Sequence, residues 1–145
     1  MAVRGFDISA EVERAVREDA ALAVYFLDLD GFKGFDDARG HAQGDLALQR
    51  IARALLAQVR ASDQVYRIGG DEFVVIAAVI EGLEAILLAE RLRLASMARI
   101  GTQRGYELTV SVGMAACRGA PCNAAGLMQE ADAAMYREKD ERRGT

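Results

Sequence analysis

The fold of this chain is decided by the stretch RIGGDEFVVI, residues 67–76. Two apolar, strand-like pieces flank Gly69 and Gly70, and glycines between such runs indicate a hairpin because glycine reaches positive φ without a Cβ clash. The missing Cβ atoms also let a bulky anion approach the backbone. Asp71 and Glu72 follow at the tip, where paired negative charge accepts phosphate only through a cation. The alternative is a solvated turn that carries two surface acids.

Length and composition favour one globular domain over residues 1–145. Hydrophobic residues make up 52% of the chain and charged residues 28%, which is typical of a folded protein with a real core. The net charge of −4 argues against a general nucleic-acid binder, so no nucleic-acid partner is expected. No apolar run is long enough to span a bilayer and no signal peptide is recognisable, so no membrane segment is expected.

The two cysteines, Cys117 and Cys122, lie five residues apart in a turn-like segment without a nearby histidine. One pair is too few for a disulfide scaffold and lacks the companions of a zinc site. We therefore expect reduced thiols, as in a cytoplasmic protein.

Apolar spacing predicts helices and strands in the order α-β-α-β-β-α-β-α. The helices are expected at 9–19, with Ser9 as N-cap, at 45–60, around 83–94 and at 124–139; the strands are expected at 22–27, 64–68, 73–79 and 106–115. In the third helix, two faces are marked by Leu83, Ile86, Leu87, Glu90 and Leu94. This order predicts an α+β fold, with a mixed, mainly antiparallel central sheet flanked by helices and related to the split βαβ arrangement.

Carboxylates follow the buried strand at 22–27. Asp28 and Asp30 are two apart and share one side of the strand, while Leu29 points to the opposite layer. If the hairpin pairs beside this strand, Asp71 and Glu72 arrive next to Asp28. Carboxylates that converge in one cleft repel each other, and a divalent cation relieves that repulsion. Hard oxygen ligands select Mg²⁺ or Mn²⁺. The alternative for Asp28 and Asp30 is helix capping or surface solvation.

The segment 31–45 is expected to be a loop whose backbone N–H groups cradle an anion, because it carries four glycines: Gly31, Gly34, Gly40 and Gly44. Lys33 would neutralise a phosphate. His41 is the single histidine of the chain, and its surroundings favour packing or hydrogen bonding over catalysis. Asp45, at the expected start of a helix, is either an N-cap or a carboxylate available to a ligand.

Five motifs occur in one order along the chain: DLDGFK at 28–33, GH at 40–41 with GD at 44–45, RIGGDEF at 67–73, SVGMA at 111–115 and ADAAMY at 131–136. Together they resemble the GGDEF family of diguanylate cyclases, from about residue 5 to residue 143. Five ordered motifs are far more specific than one tetrapeptide, so the resemblance overturns the interpretation of the hairpin as a plain turn.

The resemblance implies a fold like that of adenylyl cyclase catalytic domains and the polymerase palm. It also implies a reaction that joins two GTP molecules into cyclic di-GMP and releases pyrophosphate. By analogy, Asp28 and Asp71 hold two Mg²⁺ (or Mn²⁺) ions per half-site, and the Leu29 carbonyl assists. Glu72 is a further metal-site or base-assisting carboxylate, and these two roles stay open.

The same resemblance assigns the phosphate contacts. The backbone near Gly31 and Phe32, with Lys33, would meet the β- and γ-phosphates. Lys139 and Arg143 stand four apart, as two phosphate-binding basic residues do in the family. Without the resemblance, they would be the solvated cationic end of a helix.

The resemblance also implies that two carboxylates contact the guanine base. Asp45 occupies the family position that accepts hydrogen bonds from the guanine N1–H and amine. At the second position the family usually carries asparagine, and this chain has Asp36. An ionised aspartate only accepts hydrogen bonds, so the ring N3 loses its donor. The departure predicts weaker GTP affinity or altered base discrimination.

Arg60 and Asp63 stand at the spacing of the family's inhibitory RxxD motif, where product is bound, and Arg91 matches a supporting arginine of some members. The alternative is a helix end with a favourable cation and a cap residue.

The family's usual opening segment, DxLTGLxNR, is absent from this chain. Either the sequence is part of a longer protein or the natural chain is short. We expect the former: a bacterial, cytoplasmic signalling protein with a sensory or receiver domain. Since each copy offers one GTP half-site, a homodimer is expected for catalysis. Two alternatives stay open: a non-catalytic effector that binds GTP or cyclic di-GMP, and a cyclase with altered base preference.

Overall fold

The computed structural model describes residues 7–79, 82–100 and 108–143, apart from the side chains of residues 99, 100 and 143. Its elements are α1 (Ser9–Glu18), β1 (Ala21–Asp30), α2 (Phe32–Arg39), α3 (His41–Gln58), β2 (Gln64–Arg67), β3 (Glu72–Val79), α4 (Gly82–Ile100), β4 (Thr109–Arg118) and α5 (Ala124–Arg143). None of the helices in these ranges has the length and apolar character needed to cross a bilayer.

The sheet has the strand order β2-β3-β1-β4, and its pairings are all antiparallel. The apolar run of β1 predicts its central place, because both faces of a central strand are covered. The register sets Asp28 opposite Glu72 on one side and opposite Ser111 on the other. The predicted antiparallel sheet flanked by helices is confirmed.

Two apolar layers cover the faces of the sheet. Alternate residues of β1 separate them: Tyr25 and Leu27 join the layer of α3 and α4, and Val24 and Phe26 join the layer of α1 and α5. The Tyr25 hydroxyl donates a 2.7 Å hydrogen bond to the Ala85 carbonyl and so ties β1 to α4.

A glycine lets α5 pack directly on β4. A Cβ atom at Gly113 would lie 2.1 Å from the Met135 nitrogen and 2.2 Å from the Ala131 oxygen. Both neighbours are helix backbone, which cannot move aside as a side chain can. The backbones of strand and helix therefore approach more closely than any larger residue allows.

Several element boundaries differ from those predicted. The segment 31–45 is not a loop: α2 and α3 occupy it and meet at Gly40, whose φ of 90° only glycine adopts easily. Because α3 begins at His41, Asp45 is not its N-cap. Ser9 is also not an N-cap, since it is the first residue of α1 and its N–H donates to Asp7 Oδ1 at 2.9 Å. Residues 106 and 107 of the predicted fourth strand lie outside the described ranges.

The prediction of reduced cysteines is wrong. Cys117 at the end of β4 and Cys122 before α5 form a disulfide, with their Cα atoms 5.4 Å apart. The turn between them brings the two residues together, because Gly119 adopts a φ of 64° and the Cys122 N–H donates to the Gly119 carbonyl at 2.9 Å. The separation alone could not show this turn.

Candidate active site

Three carboxylates meet where β1 ends and β3 begins. Asp28, Asp71 and Glu72 each present one oxygen, and these oxygens all lie within 4.8 Å of one another. Asp28 is buried, at 4% exposure, and the other two are partly buried. The pairing of β1 with β3 brings them together, which fulfils the condition under which the sequence predicts their convergence. Asp30 lies apart from this cluster, because it accepts hydrogen bonds from Thr109 Oγ1 at 2.8 Å and from Ser111 Oγ at 2.9 Å.

The tip that carries Asp71 is held by backbone and by one arginine. The Leu29 N–H donates to the Asp71 carbonyl at 3.0 Å, which places the Leu29 main chain beside the cluster. Arg67 Nε donates to the Gly69 carbonyl at 3.2 Å, and its second guanidinium nitrogen donates to the Gly70 carbonyl at 3.1 Å. The tip is therefore fixed before any ligand arrives.

Contrary to the expectation from the sequence, the two glycines of the tip, Gly69 and Gly70, do not adopt positive φ. In the described residues, positive φ values of glycine occur at Gly31, Gly40 and Gly119. Instead, Gly70 borders open space, since nothing lies within 4 Å of the position of a Cβ atom there. Its missing side chain keeps the rim of the acidic cluster accessible.

The electrostatics of the cluster favour a cation. Burial, followed by the charge of Asp28, raises the pKa of Asp71. Burial, followed by the charges of Asp28 and Asp71, raises the pKa of Glu72. Both pKa shifts arise because the carboxylates lose solvation and repel each other. A bound cation would offset this repulsion.

Lys139 already supplies one positive charge. Its Nζ lies 2.5 Å from Asp28 Oδ2 and 3.6 Å from Asp30 Oδ1. Burial lowers the pKa of Lys139, but the hydrogen bond to Asp28 and the nearby carboxylate charges outweigh it, so the net shift is upward. The other oxygen of Asp28, Oδ1, is buried and receives no hydrogen bond from the described residues. A buried oxygen without a donor fits a divalent metal ligand.

A pocket of about 430 Å³ opens beside the cluster. Six of the predicted ligand-binding residues line this pocket: Leu29, Gly31, Phe32, Lys33, Asp71 and Lys139. The α2 helix begins at this pocket, after Gly31 with its φ of 81°. Free N–H groups of a first helical turn favour anions, so the start of α2 offers the kind of backbone donors that were expected from a glycine-rich loop.

Arg142, which none of the sequence motifs singles out, also lines the pocket. It lies three residues after Lys139 on α5, and residues three apart share a helix face. That spacing is the signal that could have found it. The side chain of Arg143, the predicted phosphate ligand, lies outside the described part of the chain.

The second group of predicted substrate contacts lies where α2 meets α3. Asp36 Oδ2 and His41 Nδ1 are 2.9 Å apart, so the predicted hydrogen-bonding role of His41 is confirmed, while its 89% exposure excludes a packing role. Asp36 Oδ1 lies directly over Gly44, where a Cβ atom would come within 2.0 Å of it. The following residue, Asp45, is exposed. Asp36 and Asp45 therefore occupy one edge of the domain.

The predicted inhibitory motif is engaged in local structure. Asp63 Oδ2 accepts the Arg60 N–H at 2.9 Å, and Asp63 Oδ1 accepts the Ala78 N–H at 3.1 Å. The Arg60 guanidinium donates to the Ala78 carbonyl at 3.2 Å and to Glu84 at 3.0 Å. Arg91 is exposed on α4. These contacts agree with the alternative interpretation, in which a cation and a cap residue stabilise the end of a helix. Product binding by these residues stays a prediction.

An antiparallel, helix-flanked sheet with carboxylates at the end of its central strands defines the class of palm-like cyclase domains. The family described as diguanylate cyclase, GGDEF domain, matches residues 6–145, and the chain belongs to this family.

Known relatives and solved structures agree with the family. The bifunctional diguanylate cyclase/cyclic di-GMP phosphodiesterase MucR of Pseudomonas aeruginosa is 42% identical over 134 residues, which are 91% of this chain and 19% of the relative. The diguanylate cyclase TpbB of P. aeruginosa is 37% identical, over 92% of this chain and 32% of the relative. The chain thus spans a third or less of these relatives. The solved structure of diguanylate cyclase SiaD with its activator SiaC, from P. aeruginosa, has a TM-score of 0.78 and 31% identity, over 92% of this chain and 52% of that one.

Proposed function

We propose that this domain is a diguanylate cyclase that condenses two GTP molecules into cyclic di-GMP. In each half-reaction the 3′-oxygen of one GTP forms a bond to the α-phosphorus of the other, the α–β anhydride bond breaks, pyrophosphate leaves, and the 3′-hydroxyl loses its proton. The observation that carries the proposal is the cluster of Asp28, Asp71 and Glu72 with one buried oxygen lacking a donor.

The residues of this cluster suit Mg²⁺ or Mn²⁺. Asp28 and Asp71 would hold the ions, two per half-site, with the Leu29 main chain adjacent and Glu72 as a further oxygen ligand. When bound, such an ion makes the 3′-hydroxyl more acidic and offsets charge on the phosphates. The raised pKa values of Asp71 and Glu72 also suit carboxylates that accept a proton.

The cationic side of the pocket would hold the triphosphate. Lys33, Lys139 and Arg142 line it together with the start of α2. A triphosphate brings several negative charges, so it competes with Asp28 for the ammonium group of Lys139. This exchange would orient the β- and γ-phosphates while it releases Asp28 to bind metal.

The guanine base would lie at the edge formed by Asp36 and Asp45. Asp45 is exposed and accepts from two adjacent donors, as the Watson–Crick edge of guanine requires. Asp36 is a weaker partner than asparagine, because it donates nothing and shares an oxygen with His41.

Two further parts of the proposal concern assembly and control. One copy holds one acidic cluster in its described residues, so cyclisation requires two copies with their GTP sites facing each other. Arg60, Asp63 and Arg91 would bind cyclic di-GMP as a brake, and this requires Arg60 and Asp63 to exchange their present internal partners for the product.

Product identification tests the function. The domain is incubated at high concentration with GTP, ATP and Mg²⁺, and the products are identified by mass spectrometry. Cyclic di-GMP from wild type and none from Asp71→Asn is the expected result, with Glu130→Gln on the exposed side of α5 as a matched acidic control. GTP binding without product would replace the proposal by the effector function, and an adenine-containing product would replace it by an altered base preference.

A further inference from the structure

The disulfide joins the end of β4 to the start of α5. Cys117 is the last residue but one of β4, and Cys122 lies two residues before Ala124, where α5 begins. The bond closes a short segment, because the two cysteines are only five residues apart in the sequence. A cross-link stabilises a fold less when the loop that it closes is short, since less chain entropy is removed from the unfolded state. The fold is therefore expected to survive reduction of this bond.

Hydrogen bonds hold the turn between the two cysteines without help from the disulfide. The Gly119 N–H donates to the Ala20 carbonyl at 3.0 Å, and the Cys122 N–H donates to the Gly119 carbonyl at 2.9 Å. The next residue, Asn123, caps α5 through its Oδ1 atom, which accepts the Gly126 N–H at 2.8 Å. These contacts do not involve sulfur, so they keep the two thiols adjacent after reduction. The bond can then form again without refolding of the chain.

The two cysteines differ in their surroundings. Cys122 is buried, at 8% exposure, in the apolar layer that contains Leu127. Cys117 is only partly buried, and both of its neighbours along the strand, Ala116 and Arg118, are exposed. An external thiolate therefore reaches Cys117 more easily than Cys122, and the charge of Arg118 attracts it. Cys122 would then be the leaving group, beside the first turn of α5, whose N–H groups offset part of the cost of a buried thiolate.

We propose that Cys117 and Cys122 form a reversible redox latch, which exchanges with dithiol reductants and sets how firmly the start of α5 is held on the sheet. A thiolate of the reductant attacks Cys117 Sγ, the bond between the two Sγ atoms breaks, and Cys122 leaves as a thiolate that takes up a proton. The second thiol of the reductant then attacks the mixed disulfide and releases Cys117. Two electrons and two protons reach the protein, and the reductant becomes a disulfide. The reverse exchange, with the oxidised dithiol, closes the latch.

The latch is one of three attachments that hold α5 to the sheet. The disulfide fixes the start of the helix, the close approach to Gly113 fixes its middle, and the contact of Lys139 with Asp28 fixes its last turns. Reduction removes the first attachment and leaves the other two. The first turns of α5 are therefore expected to open more often in the reduced protein, while the end that carries Lys139 stays in place.

Exchange with dithiothreitol tests the chemistry of the latch. The folded protein is incubated without denaturant in buffers of varied reduced-to-oxidised dithiothreitol ratio, free thiols are alkylated with iodoacetamide, and the added mass is measured. Both cysteines are expected to become labelled together within minutes in reduced dithiothreitol, and to become protected again in the oxidised form. Far-UV circular dichroism checks that the protein stays folded throughout. A disulfide that resists reduction until urea unfolds the chain, or thiols that do not pair again, would overturn the proposal.

Hydrogen exchange and thermal melting test the effect on α5. Oxidised and reduced wild type are compared with the double variant Cys117→Ser, Cys122→Ser, which cannot close the latch. The reduced protein and the variant are expected to melt about 5 °C below the oxidised protein. Their amides at 124–131 should exchange at least about fivefold faster, while those at 132–142 stay unchanged. Dithiothreitol should have no effect on the variant. Equal melting and equal exchange in both redox states contradict the latch. The test needs no enzymatic activity, so its failure leaves the proposed function untouched.

Discussion

The Nζ atom of Lys139 lies 2.5 Å from Oδ2 of Asp28, the most buried carboxylate of the acidic cluster. The ammonium group thus occupies one side of the carboxylate that is the best candidate for a metal ligand. Metal and lysine compete for the same negative charge, and a triphosphate competes with Asp28 for the lysine. Nucleotide and metal are therefore expected to bind cooperatively.

The first prediction concerns Lys139→Met. Removing the ammonium group takes away the competing cation, so Mn²⁺ affinity without nucleotide is expected to increase about fivefold, while GTP affinity decreases. Isothermal titration with Mn²⁺ and, separately, with GTP measures both. Arg137→Met on the exposed side of α5 is the control. If Lys139→Met lowers both affinities, the ion pair supports the site and does not compete with the metal.

The second prediction concerns stability and pH. The pKa of Asp71 is raised, so the metal-free folded protein holds this proton more tightly than the unfolded chain does. Protonated Asp71 therefore contributes to the stability of the folded state. This contribution is complete below the ordinary aspartate pKa and is lost as pH rises through the raised pKa. At neutral pH Asp71→Asn is therefore expected to raise the melting temperature by a few degrees, and the gain should vanish in acid. Thermal scans in EDTA between pH 3 and pH 8 are the measurement. A variant that is less stable than wild type at every pH contradicts the expectation.

The third prediction concerns base recognition by Asp36. Asparagine at this position keeps an oxygen for His41 and adds an N–H₂ donor for the purine ring. Because an unmet hydrogen bond costs roughly 1–3 kcal/mol, Asp36→Asn is expected to lower the KM for GTP about tenfold and to increase the preference for GTP over ATP. Steady-state kinetics with both nucleotides checks this. Asp37→Asn, which changes the neighbouring exposed acid, is the control, and an unchanged KM and preference in Asp36→Asn would sink the prediction.

The sequence was sufficient wherever the signal was local. The apolar run from Leu22 predicts a strand covered on both faces, and the hairpin residues predict the pairing of β2 with β3. The pairing of β1 with β3, which brings Glu72 opposite Asp28, entered the sequence argument only as a condition. Alternation along β1 also places Asp28 and Asp30 on one side of the strand. These local signals name the carboxylates of the acidic cluster, and the pairing of β1 with β3 brings them together.

The sequence was insufficient where contacts between residues far apart in the chain determine the structure. Helix α2 was not predicted, because the glycines of residues 31–45 favour a loop. The helix forms because it buries Phe32 and Phe35. The pairing of Lys139 with Asp28 joins residues 111 positions apart. Periodicity identified the leucines of α4 but not which of them face the core, since both sides of the helix are apolar.

The fourth prediction concerns the residue next to Lys139. Glu138 receives both terminal nitrogens of Arg93, one at 2.9 Å, and also accepts the Val112 N–H at 3.2 Å, so it joins α4, α5 and β4. Burial raises the pKa of Glu138, but its contacts with Arg93 outweigh this and lower it. The associated stability is present above the ordinary glutamate pKa and is lost as pH falls through the lowered value.

Glu138→Ala leaves Arg93 partly buried without its carboxylate, and we expect a loss of about 2 kcal/mol in unfolding free energy at neutral pH. Urea unfolding measures the loss, which should shrink in acid. Glu141→Ala, an exposed acid on the same helix, is the comparison. Equal losses at pH 7 and at acid pH would show that packing, and not the charge contact, is responsible.

The fifth prediction separates the two uses of glycine in this domain. Gly113→Ala places a methyl group about 2 Å from the backbone of α5, so α5 must move away from β4, and we expect a loss of about 3 kcal/mol in unfolding free energy. Gly70→Ala meets nothing within 4 Å and is expected to leave stability unchanged while it weakens GTP binding at the open rim of the cluster. Urea unfolding and GTP titration of both variants measure the two effects. Gly113→Ala with wild-type stability would mean that β4 and α5 can separate without cost, and tight GTP binding by Gly70→Ala would place the nucleotide away from the tip.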